Sequence, residues 1–163
     1  MGMIGHFAAV NSKTISELKA NPDQIEDFLY PEGGDGAPAN SIDIDKAWHG
    51  IHYLLNEDGN GGDEPLCWAI LGGDEIGDDQ GCGPVRILQP DLVKSIAGAL
   101  IDESTFKSRY EPEAMEAAQI YPETIWVRDG SEALDYLAEY YRELVAFYLA
   151  AAERGDGIVL WIA

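Results

Sequence analysis

His49 and His52 stand three residues apart in a segment whose apolar residues recur at helical spacing. That spacing places both imidazoles near enough on one helix to share a ligand. A bound metal needs three or four ligands, and the sequence offers only this pair and the distant His6. No metal and no cofactor are therefore expected, and Asp45, four residues before His49, serves as a local ion or hydrogen-bond partner. Trp48 and Tyr53 flank the pair. Arg86 is the one cation beside a long acidic interval and sits between Val85 and Ile87, with its side chain pointing opposite to theirs. It either bridges to Asp78 or Asp79 or anchors an anionic ligand. Trp48, His49, His52, Tyr53 and Arg86 form the candidate pocket of a small-molecule binder or hydrolase.

The second chemically distinctive group is acidic. No Lys or Arg occurs between Lys46 and Arg86, an interval that holds Glu57, Asp58, Asp63, Glu64, Asp74, Glu75, Asp78 and Asp79. Carboxylate pairs catalyse when burial drives their pKa values apart. Here they fall in glycine-rich stretches read as solvated loops, 57–64 and 72–83. Asn56 to Gly61 imitates the start of a calcium loop, but Asn56 replaces its first Asp and Cys67 its bidentate Glu. Gly81-Cys82-Gly83 lacks the third glycine of a dinucleotide turn, and Pro84 removes a donor, so it reads as a tight turn feeding a strand. No serine has a nucleophile-elbow context, and neither Cys67 nor Cys82 has a nucleophile's local signature. Both thiols are expected to be free and buried.

The interval dominates the charge of the whole chain: 163 residues with 30 Asp and Glu against 10 Lys and Arg, a net −20. Phosphate backbones and anionic membranes are repelled by such a surface, so neither nucleic acid nor membrane is an expected partner. An apolar content of 46% is that of a folded domain, so the charge does not signal disorder. The opening residues carry no signal-peptide core, and the longest apolar run, 144–152, falls far short of the ~20 residues a membrane helix needs. The expectation is a soluble cytoplasmic protein, residues 1–163 forming a single domain.

The elements that must position these groups follow from periodicity. Strands are predicted over 2–10, 84–88 and 158–162, the last a continuous apolar run that suits burial on both faces. Helices are predicted through Ala20 with Asn11 or Ser12 as cap, after Pro22, over 43–56 with Ser41 or Asp43 as cap, over 66–71, over 90–102, near 104–109 and 112–118, and from a capping box of Asp129 and Glu132 to Gly155. Tyr136 and Tyr140 fall off the main stripe of the last helix, either as an exposed patch or as cover for a neighbour. The resulting class is α+β: one compact domain with a small sheet of three or four short strands, including both termini, packed by several helices and a long C-terminal one.

The opening Met1-Gly2-Met3-Ile4-Gly5, the run from Asp43-Ile44-Asp45-Lys46-Ala47-Trp48 to Leu55, the segment from Pro65 to Gly73, Gly83-Pro84-Val85-Arg86 and Ile120-Tyr121-Pro122 together resemble the YfbM-like family of uncharacterised bacterial proteins. The resemblance covers nearly the whole chain, and the Asp-x-Asp-Lys-x-Trp run is its most specific part. Cys82 stands where the family pattern has an aromatic. The resemblance implies a compact bacterial α+β domain and no established activity. The functional expectation therefore rests on charge: a non-enzymatic acidic interaction protein, an immunity-type or inhibitor-type binder that offers its acidic face to a basic protein. The alternative is the small-molecule binder or hydrolase built on the candidate pocket. The oligomeric state is not legible.

Overall fold

The computed structural model describes residues 2–33, 36–79 and 81–163. Met1 of the opening segment, and the parts of the predicted loops that fall on Gly34, Asp35 and Gln80, lie outside the described residues. The chain runs β1 (Gly5–Val10), α1 (Ser12–Ala20), α2 (Ile25–Leu29), β2 (Ser41–Asp43), α3 (Trp48–Asn56), α4 (Trp68–Leu71), β3 (Asp74–Asp79), β4 (Pro84–Leu88), α5 (Pro90–Ala99), α6 (Glu103–Ser108), α7 (Pro112–Ala117), α8 (Trp126–Asp129), α9 (Ser131–Arg154) and β5 (Gly157–Ile162). The strands form one antiparallel sheet in the order β2-β1-β5-β4-β3. This is the expected α+β class, with five strands among the described residues where three or four were predicted.

The apolar run at the C-terminus is the centre of that sheet. Ile158 and Leu160 face one hydrophobic cluster, and Val159 and Trp161 face the other. Alternation in β1 repeats the division, with Phe7 and Ala9 on the first side and Ala8 and Val10 on the second. The larger cluster lies under α3, α5, α6 and α9, and the smaller under α1 and α2, so helices cover both faces of the sheet. α9 holds the larger cluster with Leu137, Tyr141, Leu144, Tyr148 and Ala151 on one stripe, and it stops where Gly155 turns left-handed at φ 74°.

Three predicted elements take another form. The stretch 72–83, expected as a loop, contains the edge strand β3, of which only Ile76 is buried. An edge strand tolerates charge on its open side, so a run of carboxylates does not prevent pairing. The helix expected from Asp43 begins later. Ser41–Asp43 pairs with β1, Asp45 adopts φ 46°, and a 3-10 turn over Asp45–Ala47 leads into α3. A left-handed residue cannot continue into a right-handed helix, so the start falls after Asp45. The capping box of Asp129 and Glu132 does not form. Asp129 ends α8 with its carboxylate on Arg128, and the chain bends at Gly130, φ 50°, which holds the cap position of α9.

Candidate functional site

Helix α3 aims both candidate histidines at the loop that follows it. His49 Nδ1 accepts the Tyr121 backbone N–H at 2.8 Å, which leaves its Nε2–H to donate to the Gly59 carbonyl at 2.8 Å. The geometry thereby fixes the neutral Nε2–H tautomer. His52, with no exposed surface, donates from Nε2 to the Gly61 carbonyl at 3.0 Å, and Asn56 Nδ2 faces its Nδ1 at 3.4 Å. Burial depresses both imidazoles, His52 to about 4. All four ring nitrogens are engaged within the chain, so in this conformation the pair staples the loop 57–64 to α3 rather than presenting a ligand set.

Trp48 and Tyr121 build the adjoining wall. Their rings stack at 5.6 Å, and His49 stacks on Trp48 at 4.9 Å. Trp48 Nε1 donates to the Met3 carbonyl, and the Met3 N–H donates to the Tyr121 hydroxyl, so the N-terminal segment is gripped on both backbone groups. Tyr53 is half-buried against the larger core; burial, then Glu111 and Glu57, push its phenol upward. Tyr136 covers the turn before α3, donating to Asp45 Oδ2 at 3.0 Å, while Asp43 Oδ1 accepts the Asp45 N–H. Tyr140 meets the Tyr136 ring edge-on at 5.2 Å. The run from Asp43 to Trp48 thus ties α9, the sheet and the N-terminal segment together. Tyr136→Phe removes a hydrogen bond to a carboxylate and is expected to cost about 1–2 kcal/mol, read as a lower urea midpoint at unchanged slope. An unchanged midpoint would refute the tie.

Arg86 belongs to a different neighbourhood. Its residue stands opposite Glu75 in the β3–β4 register, and its guanidinium lies 3.8 Å from that carboxylate, not on Asp78 or Asp79. Among the described residues no hydrogen bond, ion pair or ring contact joins it to either histidine. It is the register that decides: Asp79 falls opposite Pro84 and turns its Oδ1 to the Gly81 and Gly83 N–H groups, closing the hairpin. Asp74 pairs with Lys19 at 2.8 Å. In the stapled loop Asp58 Oδ1 accepts the Asn60 and Gly61 N–H groups, which hold its carboxyl below the usual range. Glu57, Asp63 and Glu64 line a cleft of about 250 Å³ with Arg109, whose guanidinium is spent on the Leu54 and Leu55 carbonyls at the end of α3. Both cysteines are free, but neither is fully buried: Cys67 is half-buried and Cys82 is exposed on the hairpin turn.

A family model described as "Domain of unknown function (DUF1877)" matches residues 1–161. The chain belongs to the DUF1877 family. Its fold also matches the crystal structure of YfbM from Escherichia coli, titled a protein of unknown function, with a TM-score of 0.77 at 22% identity over 98% of this chain and 99% of that one. The YfbM-like resemblance of the motifs is thereby shown, and at this identity the match carries the fold alone. No curated protein matches. Membership of the DUF1877 family brings no activity with it, so the chemistry has to come from the residues. Among the described residues no helix is long and apolar enough to cross a membrane.

Proposed function

We propose that this DUF1877 protein is a non-enzymatic acidic interaction protein, an immunity-type or inhibitor-type binder of a basic protein. The observation that supports it most is how the acidic interval is built. Four carboxylates ride on the ordered edge strand β3, and four on a loop fixed by two neutral histidines. Asp74 and Glu75 have cationic neighbours, whereas Glu57, Asp63 and Glu64 reach no Lys or Arg within ion-pair distance among the described residues. A rigid array of anions loses little side-chain and loop freedom on docking, and it steers a basic partner through a long-range field. The engaged nitrogens of His49 and His52 argue against the hydrolase alternative.

Affinity capture from the source lysate tests the reading. A basic protein is expected to be retained at low salt, lost at high salt, and lost at low salt when Glu57, Asp63 and Glu64 are changed together to Gln, Asn and Gln. No partner at either salt, or retention indifferent to the three substitutions, would sink it.

A further inference from the structure

A second concavity lies away from the acidic loop and from β3 and shares no lining residue with them. It has a volume of about 410 Å³, inside the roughly 300–1,000 Å³ range of small-ligand sites. Three stretches distant in sequence build it: the turn before α3, the segment after Tyr121-Pro122, and the first turns of α9. Its lining carries both signs of charge beside an apolar wall, with Asp45 and Glu132 as anions, Lys46 as the cation, and Pro122 and Ile125 as wall.

The state of these charges is what singles the cleft out. Of the ten Lys and Arg, Lys13, Lys19, Arg86, Lys107, Arg128, Arg142 and Arg154 form ion pairs, and Arg109 donates to backbone carbonyls. Lys46 and Lys94 remain without a carboxylate or carbonyl partner among the described residues. For a chain of net −20, a lysine that lines a cleft with carboxylates yet reaches none of them within 4 Å is a charge kept apart from its complement. The third carboxylate of the lining, Asp129, is by contrast occupied by Arg128 at 2.7 and 2.8 Å. Asp45 is held in place through Oδ2 by the Tyr136 hydroxyl, and among the described residues its Oδ1 has no hydrogen bond. The end of the Lys46 side chain lies against Gly2, beside the cleft rather than paired within it, and opposite charges kept apart beside an apolar wall complement a molecule that carries an ammonium and a carboxylate on one carbon with an apolar substituent.

The geometry points to this cleft as a binding site for a small zwitterion of the free α-amino-acid type. Its carboxylate meets the Lys46 ammonium, its ammonium meets Asp45 and Glu132, and its side chain rests on Pro122 and Ile125. The site stands apart from the protein partner proposed above, and its test needs no such partner.

Titration of the ¹⁵N-labelled protein with L-leucine, followed by NMR, decides the matter, with N-acetyl-L-leucine and L-leucinamide as controls. The expected result is saturable movement of the Lys46, Ile125 and Glu132 amides by L-leucine, with each control at least about tenfold weaker. Lys46→Met and Glu132→Gln are each expected to weaken L-leucine about tenfold, and Glu57→Gln, on the acidic loop, to leave it unchanged. The spectra of the variants themselves report whether the fold survives. If L-leucine produces no saturable shift up to about 10 mM, or if L-leucinamide binds as tightly as L-leucine, the proposal falls. In the second case the cleft selects cations only.

Discussion

Acidification from pH 7 to 4 is expected to remove about 3 kcal/mol of folding stability through His52 alone. The sign follows from the staple. In the folded chain burial, and secondarily His49 one turn away, lower the imidazole pKa from 6.5 to about 4, against the Gly61 carbonyl, whose hydrogen bond favours the proton. Above pH 6.5 both the folded and the unfolded chain hold it neutral, and the full stability is present. Below 6.5 the unfolded chain takes up a proton that the folded chain refuses, and stability is lost until the folded imidazole titrates near 4. Asp58 from the loop favours the proton, while His49 and the burial oppose it more strongly. His49 is depressed by burial as well and acts in the same direction. Urea unfolding at several pH values, wild type against His52→Gln, isolates the effect from the general relief of repulsion as carboxylates protonate. The difference between the two proteins should narrow as the pH falls, and a constant difference would refute the neutral staple.

A comparable loss is expected from Trp126→Ala, about 4 kcal/mol. At roughly 2–4 °C per kcal/mol for a chain of this length, that is a fall of about 8–16 °C in Tm. Trp126 has no exposed surface, and its Nε1 donates to the Ile120 carbonyl at 2.8 Å. The far edge of the indole lies against Gly50 of α3, where an added Cβ would come within 2.8 Å of Cη2. Truncation therefore leaves a cavity between α3 and α9 together with an unanswered carbonyl. Trp126→Phe should restore part of the packing and none of the hydrogen bond, giving an intermediate melt by circular dichroism. A melt for Trp126→Ala within about 2 °C of wild type would mean that the helices close over the gap.

The central strand was readable because Ile158 to Ile162 is apolar at every position, which only burial on both faces explains. β3 was not, because Asp74 to Asp79 offers a single buried residue and a glycine, and its pairing comes from β4 rather than from its own side chains. The candidate histidines were legible by type and spacing, but their partners are the Gly59 and Gly61 carbonyls and the Tyr121 N–H, backbone groups that no residue type announces. The zwitterion cleft left only a trace. Tyr136 falls off its helical stripe because it reaches Asp45, 91 residues earlier in the chain. Ile125 gave no signal, and Glu132 read as half of a capping box that the bend at Gly130 prevents.

Ile4 and Ala163 exchange reciprocal backbone hydrogen bonds, and β5, the last element, lies between β1 and β4. During biosynthesis the middle strand of the sheet thus leaves the ribosome after the four strands it joins. Until then the β1–β2 pair and the β3–β4 hairpin are separate two-stranded pieces, each marginal alone and each with an unpaired edge where β5 belongs. The nascent chain must keep those edges apart from other chains until β5 arrives, and the dense negative charge of the interval between Lys46 and Arg86, made before β5, supplies repulsion to do so.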